Sequence, residues 1–544
     1  MDLGALIQGK FSFSNSVNLE IVDEEFLAQA TDFKRGNISH LLIGATPIKK
    51  YLQTADQEWV LALKDLIMET DLSPFYKAYH QAGRKAIHPG LIVGLIVYGL
   101  LKGIKSLRAL EQLSKLDIGS WWLTDGLQPD HSTIGKFIQL HAQVLQDDYF
   151  TALTRVILQK LKVNTQEVAC DGTIVEAVGS RYKELQKDAI LEALKHATTI
   201  KEAKMLSQAL DICEERNVKQ RKKNGRKTDV KVCITDTDAM HQRGKIVGSR
   251  SSYKPSVLAT KDRIITGISV HPSSENAIIP DLLKHHKTIT GNMPSTLLGD
   301  AGYCTLDNIA LCEESHITFL SPSGKEGKQK KGTMNDFHKS KFTYDASNDV
   351  MVCPAGYTLT VDTRGKNRHG KYFTQYRCNN LADCPYAKQC TRSQKTRTVK
   401  RYVGDDAKTR HLANMELKSS KKQFSKRKAM VEPVFSELKG FFNLKRFTRY
   451  GLKGASVEMA LFGIAYNFKR YLKLKKAPPA DTKVFSMAVN RPQVNVKVSS
   501  IAANRPKFVG LTTIWLNYMF LQLKFSVKAI FTRDYYQISF FSVI

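Results

Sequence analysis

From about residue 40 to residue 160 the apolar positions recur at helical spacing. His88-Pro89-Gly90 closes a loop, and an apolar run from Leu91 to Leu101 follows it. That run reads as a core helix and is too short to span a bilayer. Leu107, Leu110 and Leu113 share one helix face. Pro129-Asp130-His131-Ser132-Thr133 reads as a helix start with Asp or Ser as the N-cap, and Ile134, Phe137 and Ile138 supply its apolar stripe. Two short helices joined by Leu123-Thr124-Asp125-Gly126 predict either a helix-turn-helix or an ordinary helical bundle.

From about 165 to 320 short β-rich runs alternate with polar turns. Strands are predicted at Val230–Ile234, Ile264–Val270 and Ser295–Leu298, and a helix near Ile279–His286. The basic run Lys219–Lys227 reads as a solvated loop, with contact to phosphate as a further role open to it. This α/β alternation suits an open sheet with helices packed on it. A polar, Lys-rich stretch then begins at Ser321-Pro322-Ser323-Gly324 and leads into cysteine-bearing sequence, which reads as an insertion. Helical sequence resumes over about 429–474, and the tail ends in aromatic residues around Tyr535–Phe541 with no assignable role. The expected division is 40–160 helical, 161–320 first part of an α/β core, 321–425 insertion, 426–476 helical last part of the core, and 477–544 tail.

Composition narrows the partner. The 544 residues suffice for two or three domains, and 42% hydrophobic residues suffice for a core. Lys and Arg number 82 against 51 acids, a net charge of +31. Such an excess attracts polyanions, so DNA or RNA is the expected partner. Met1-Asp2-Leu3-Gly4 does not open a secretory leader. Nine cysteines, an odd number in so long a chain, do not form a secreted disulfide framework and fit a reducing cytoplasm.

Two segments share one pattern. Val168-Ala169-Cys170-Asp171-Gly172 and Leu297-Leu298-Gly299-Asp300-Ala301-Gly302 each run an apolar strand into an Asp beside small residues. A carboxylate so placed at a sheet edge leaves room for a metal and a phosphate. A third acid, Glu432, lies in Val431-Glu432-Pro433-Val434-Phe435, with Glu437 as its rival. Pro433 belongs in a first helical turn, which puts Glu432 near a helix start. Lys439 is nearly on the Glu432 face and positioned for a substrate phosphate, while Phe435, Leu438 and Phe442 form the buried stripe. Phosphodiester chemistry with divalent ions needs such carboxylates, and Mg²⁺ favours oxygen ligands. Either Asp could instead cap a turn, and Glu432 could be a surface residue favoured by the helix dipole.

These residues resemble the bacterial insertion-sequence transposases of the DDE type. The resembling segments are His88-Pro89 through Glu111, Pro129 through Ile134, Asp171-Gly172-Thr173, Asp300-Ala301-Gly302-Tyr303, Arg427 through Lys439, Arg446 through Gly451, and Ala465-Tyr466-Asn467. Together they span roughly 40–475. The resemblance implies an RNase H-like catalytic core, a mixed sheet with flanking helices, joined to an N-terminal helical DNA-binding domain and broken by a cysteine-bearing insertion. It implies Asp171, Asp300 and Glu432 as the metal-binding triad with Mg²⁺ or Mn²⁺, and favours Glu432 over Glu437. Lys439, Arg427, Lys428 and Arg446 take supporting, DNA-binding places. The implied activity is cleavage at transposon ends and transfer of the freed strand into target DNA, by an oligomer pairing the ends in the bacterial cytoplasm near the nucleoid. The alternative is a catalytically inactive DNA-binding protein derived from such an enzyme.

Cys353, Cys378, Cys384 and Cys390 read either as a Zn²⁺ set, with His369 as a substitute ligand, or as unpaired thiols. Asp236 and Asp238 read as structural turn acids, and Cys170 as a buried small residue.

Overall fold

A computed structural model describes residues 29–476 except 30–31, 81–84, 225–228, 244–247, 275, 324–335, 368–369, 382, 392 and 394–395. The tail beyond 476 and His369 therefore lie outside the described residues.

The N-terminal part is helical: α1 (Glu58–Glu69), α2 (Pro89–Leu101), α3 (Leu107–Leu116), α4 (Ile118–Thr124), α5 (His131–Leu140) and α6 (Phe150–Leu161). Helix α2 starts on Pro89, and the His88 ring accepts a hydrogen bond from the Gly90 amide. Its apolar residues cover every side, so it is buried all round. Asp130 is the N-cap of α5, accepting from the Thr133 amide at 2.6 Å. Helix α4 is joined to α5 through Asp125 and Gly126, both at positive φ.

The sheet has five central strands: β1 (Glu167–Gly172), β2 (Ser249–Thr260), β3 (Ile265–His271), β4 (Thr296–Leu298) and β5 (Thr318–Leu320). Their spatial order is β5-β4-β1-β2-β3. Strands β5, β4 and β1 are parallel, and β2 and β3 continue antiparallel. Helices α7 (Ile279–Thr290) and α8 (Leu306–Glu314) connect and flank these strands. Further along lie α9 (Asp405–Glu416), α10 (Arg427–Gly440) and α11 (Gly451–Lys475). The chain is thus α/β, a mixed sheet with flanking helices.

One hydrophobic core joins the helical part to the sheet. It runs from Val60, Ile96 and Phe150 through Ala169, Val257 and Ile265 to Val434, Phe462 and Phe468. Helix α11 supplies much of it and packs on α2, α6 and β3. Asn467 is fully buried there; its side-chain amide donates to the Ile265 carbonyl and to Thr154 Oγ1, and its Oδ1 accepts from the Ile265 amide. It serves the first residue of β3 as a strand partner would.

Within the span predicted as an insertion, five antiparallel strands follow one another: β6 (Thr343–Asp345), β7 (Val350–Val352), β8 (Thr358–Lys366), β9 (Tyr372–Cys378) and β10 (Thr398–Tyr402). They enclose a small core of Phe342, Met351, Leu359, Tyr376 and Val399. Lys371 ties this sheet to Asp307 of α8 at 2.6 Å. Helix α9, in the same span, packs beside the core sheet on α8 and β5.

Three local expectations change. Lys219 is helical, because Ile200–Asn224 forms one long helix instead of giving way to a loop. The strand expected at Val230–Ile234 shrinks to Val232–Cys233, which pairs with Glu184–Leu185. Pro433 lies in the middle of α10, not in its first turn. A proline there leaves the carbonyl four residues back without its helical donor. That carbonyl, on Ala429, is met from outside the helix by Arg263 Nε at 2.9 Å. Among the described residues no helix is long and apolar enough to cross a membrane.

Candidate active site

Val168, Ala169 and Cys170 are fully buried, and β1 then delivers Asp171 to a half-buried position at its end. Leu297 and Leu298 are equally buried, and β4 leads through Gly299 to Asp300. The parallel register pairs Leu297 with Val168 and Leu298 with Ala169. Carried two residues on, it sets Asp300 level with Asp171 on the neighbouring strand. Gly299 fits this step closely: a Cβ there would stand 3.4 Å from Cys170 Sγ and 3.2 Å from Tyr303 Cβ.

Each carboxylate is held. Asp300 caps the turn Ala301–Tyr303, its Oδ1 accepting from the Gly302 amide at 2.8 Å. Its carbonyl accepts from Ser321 Oγ at 2.6 Å, and the Ser321 carbonyl accepts from His411 Nε2 at 2.8 Å. Ser321 and His411 were not singled out from sequence; the only signal was a Ser directly after an apolar run. Asp171 Oδ1 accepts from the Gly172 amide at 3.0 Å and lies 3.2 Å from Arg427 Nη2. Burial pushes the Cys170 thiol well up, with Arg427 opposing the shift and Asp171 and Asp300 adding to it. Such a thiol is no nucleophile.

Arg427 opens α10, which packs on β1 and β2. Met430, Val431, Val434 and Leu438 are its buried residues, with Phe435 and, just past the helix, Phe442 completing the expected stripe. Glu432 is exposed, and five residues past Arg427 it is turned roughly 140° around the helix from it. Exposed Lys428 and half-buried Lys439 share its side of the helix. Glu437 is committed elsewhere, paired with Lys469 of α11 at 2.7 Å. Arg446 donates to the carbonyls of Ala177, Val178 and Gly179, clamping the chain just beyond Asp171. Asp236 accepts from the Tyr253 hydroxyl, and Asp238 from the Leu452 amide at 2.9 Å, so both serve local structure.

Two level carboxylates suit a hard divalent cation such as Mg²⁺ or Mn²⁺. Among the described residues, however, no three His, Cys, Asp or Glu side chains form a group able to hold a metal ion. Asp171, Asp300 and Glu432 therefore do not form such a group. The four insertion cysteines are free thiols. Cys390 lies near the other three: burial raises its thiol pKa, Arg397 opposes this, and Cys353, Cys384 and Cys378 add to the rise.

Two family models match the chain. Residues 352–472 are similar to a family described as "Transposase DDE domain", and residues 51–140 to one described as "Transposase domain (DUF772)". The first stretch carries Arg427, Glu432, Lys439, Arg446 and the four cysteines; Asp171 and Asp300 fall outside both. No curated protein matches the chain.

Proposed function

Because the chain belongs to the insertion-sequence transposases of the DDE type, we propose that it binds the ends of its element and performs strand cleavage and strand transfer on double-stranded DNA. The observation that supports this reading most is the parallel pairing of β1 with β4, one strand ending at Asp171 and the other leading two residues on to Asp300. The strand order, with the acids at the ends of two adjacent inner strands of a mixed sheet, supports an RNase H-like core.

In this reading Asp171 and Asp300 would supply carboxylate oxygens to Mg²⁺ or Mn²⁺, with Glu432 of α10 as the third ligand. Such ions would supply activation of the attacking oxygen and stabilisation of the leaving one. The residues do the rest. The cap at Gly302 and the bond from Ser321 fix Asp300, and Arg427 fixes Asp171. Lys428 and Lys439, on the Glu432 face, hold phosphates beside the reacting bond. Arg446 keeps the segment after β1 in place. Water first breaks the phosphodiester at the element's end and frees a 3′-OH. That hydroxyl then attacks a target phosphodiester in line, forming one P–O bond as another breaks. The net charge of +31 serves phosphate binding, residues 40–160 would recognise the ends, and pairing two ends calls for at least a dimer. The four insertion cysteines, all described, are not gathered into a group able to hold Zn²⁺, so no zinc role is assigned to them.

The test is cleavage of a labelled duplex carrying the element's own end, with Mg²⁺ or Mn²⁺. Wild type should nick specifically, and Asp171→Asn, Asp300→Asn and Glu432→Gln should each abolish nicking while still binding. A second reading, a DNA-binding protein without catalysis, is favoured by the absence, among the described residues, of a three-residue group able to hold a metal ion. Binding without nicking by wild type would establish it and overturn the first.

A further inference from the structure

Arg427 is a buried cation in an otherwise accessible region. Its side chain is 9% exposed and that of Asp171 22%. Its Nη2 lies 3.2 Å from Asp171 Oδ1, and its Nε has no hydrogen-bond partner among the described residues. A guanidinium so enclosed cannot grip a DNA phosphate without leaving Asp171. The neighbouring Lys428 is exposed and free to do so. Asp171 lies at the end of β1, Asp300 follows the neighbouring parallel strand β4, and both act on the thiol of Cys170, so their two negative charges repel unless a cation lies close. Arg427 supplies one positive charge at that place, and it is built into the fold.

We propose that Arg427 is a positioning residue for Asp171: it is the resident counter-ion that holds this carboxylate in place before metal binds, and it sets the divalent-ion concentration at which the pair loads. The inference rests on reading Asp171 and Asp300 as metal ligands. A fixed positive charge against one ligand opposes an incoming dication. Neutral substitution should therefore tighten metal binding, where loss of a phosphate contact would instead weaken DNA binding.

The experiment measures Mn²⁺ bound to the full chain without DNA, from the free-ion electron paramagnetic resonance signal. Arg427→Met should bind Mn²⁺ about tenfold more tightly than wild type, because the competing charge is gone. Arg427→Lys, which keeps the charge on a single donor, should return affinity to within about threefold of wild type. Asp300→Asn should weaken binding at least tenfold. Should Arg427→Met not fold, Arg427→Gln, also neutral, carries the same expectation. DNA affinity without metal should stay within about twofold in the Arg427 variants. A folded neutral variant with unchanged or weaker Mn²⁺ affinity overturns the proposal, as does a loss of DNA affinity equal to that of Lys428→Met. Unchanged Mn²⁺ binding in Asp300→Asn instead defeats the metal-site reading itself, and the role of Arg427 falls with it.

Discussion

Arg263 donates its Nε–H to the carbonyl of Ala429 at 2.9 Å, the acceptor that an amide at position 433 would otherwise satisfy. Pro433 has no such amide, so a residue of the β2–β3 turn completes the ladder of the helix that carries Glu432. Arg263→Met should cost about 1 kcal/mol. The cost should fall in a Pro433→Ala background, where the helix supplies its own donor. Urea unfolding of the four proteins of this cycle measures the coupling; additive costs would show that Arg263 acts elsewhere.

Asn467 meets both backbone groups of Ile265 in a fully buried place. Asn467→Leu leaves that amide and carbonyl without a partner, and each orphaned group costs about 1–3 kcal/mol. The variant should lose about 2–4 kcal/mol in total, read from denaturant unfolding. A loss under 1 kcal/mol would mean that β3 finds another partner.

The fold should be acid-labile. Burial pulls His88, His141 and His286 down to about 4, with Arg35 adding to the shift of His88 and a bond to Thr165 opposing that of His286. The unfolded chain protonates these rings first, near 6.5. The stabilisation is therefore complete above that value and lost as pH falls toward 4. At pH 5 each ring accounts for up to about 2 kcal/mol. Urea midpoints at pH 7.5 and pH 5.0 test this. His286→Gln should reduce the difference between the two pH values by about 2 kcal/mol.

Ser321→Ala frees the Asp300 carbonyl from its 2.6 Å bond and leaves His411 as the next support. Stability should fall by about 1 kcal/mol. If Asp300 holds metal as proposed, strand cleavage should fall roughly tenfold or more, because small displacements of such a carboxylate are costly. DNA affinity should not change. Cleavage at the wild-type rate would show that the turn holds Asp300 unaided.

The local half of this site was legible in the chain. Apolar runs ending in Asp171 and Asp300 pointed to strand ends, and the Asp130 cap and the Phe435–Phe442 stripe followed ordinary helix rules. What brings the aspartates level is the pairing of β1 with β4, strands far apart in sequence whose register no local pattern encodes. Pro433 misled because a remote arginine cancels the usual penalty. The loop expected around Lys219 became helix as Leu206, Ala209 and Cys213 found a core of their own with Ile190 and Val232. Ser321 and His411 act through backbone carbonyls, so their side chains alone carried no sign of the role.

The shared core of α2 and α11 has a geometric consequence. The helical part reaches the sheet through continuous packing, not through a hinge. Under the proposed function, an element end held by the helical part would be presented to Asp171 and Asp300 at a constant offset and angle. A jointed molecule would tolerate base pairs inserted between the sequence held and the bond attacked. A one-piece molecule would count that interval as a gauge does, and an insertion of half a helical turn would carry the scissile phosphate to the far side of the duplex.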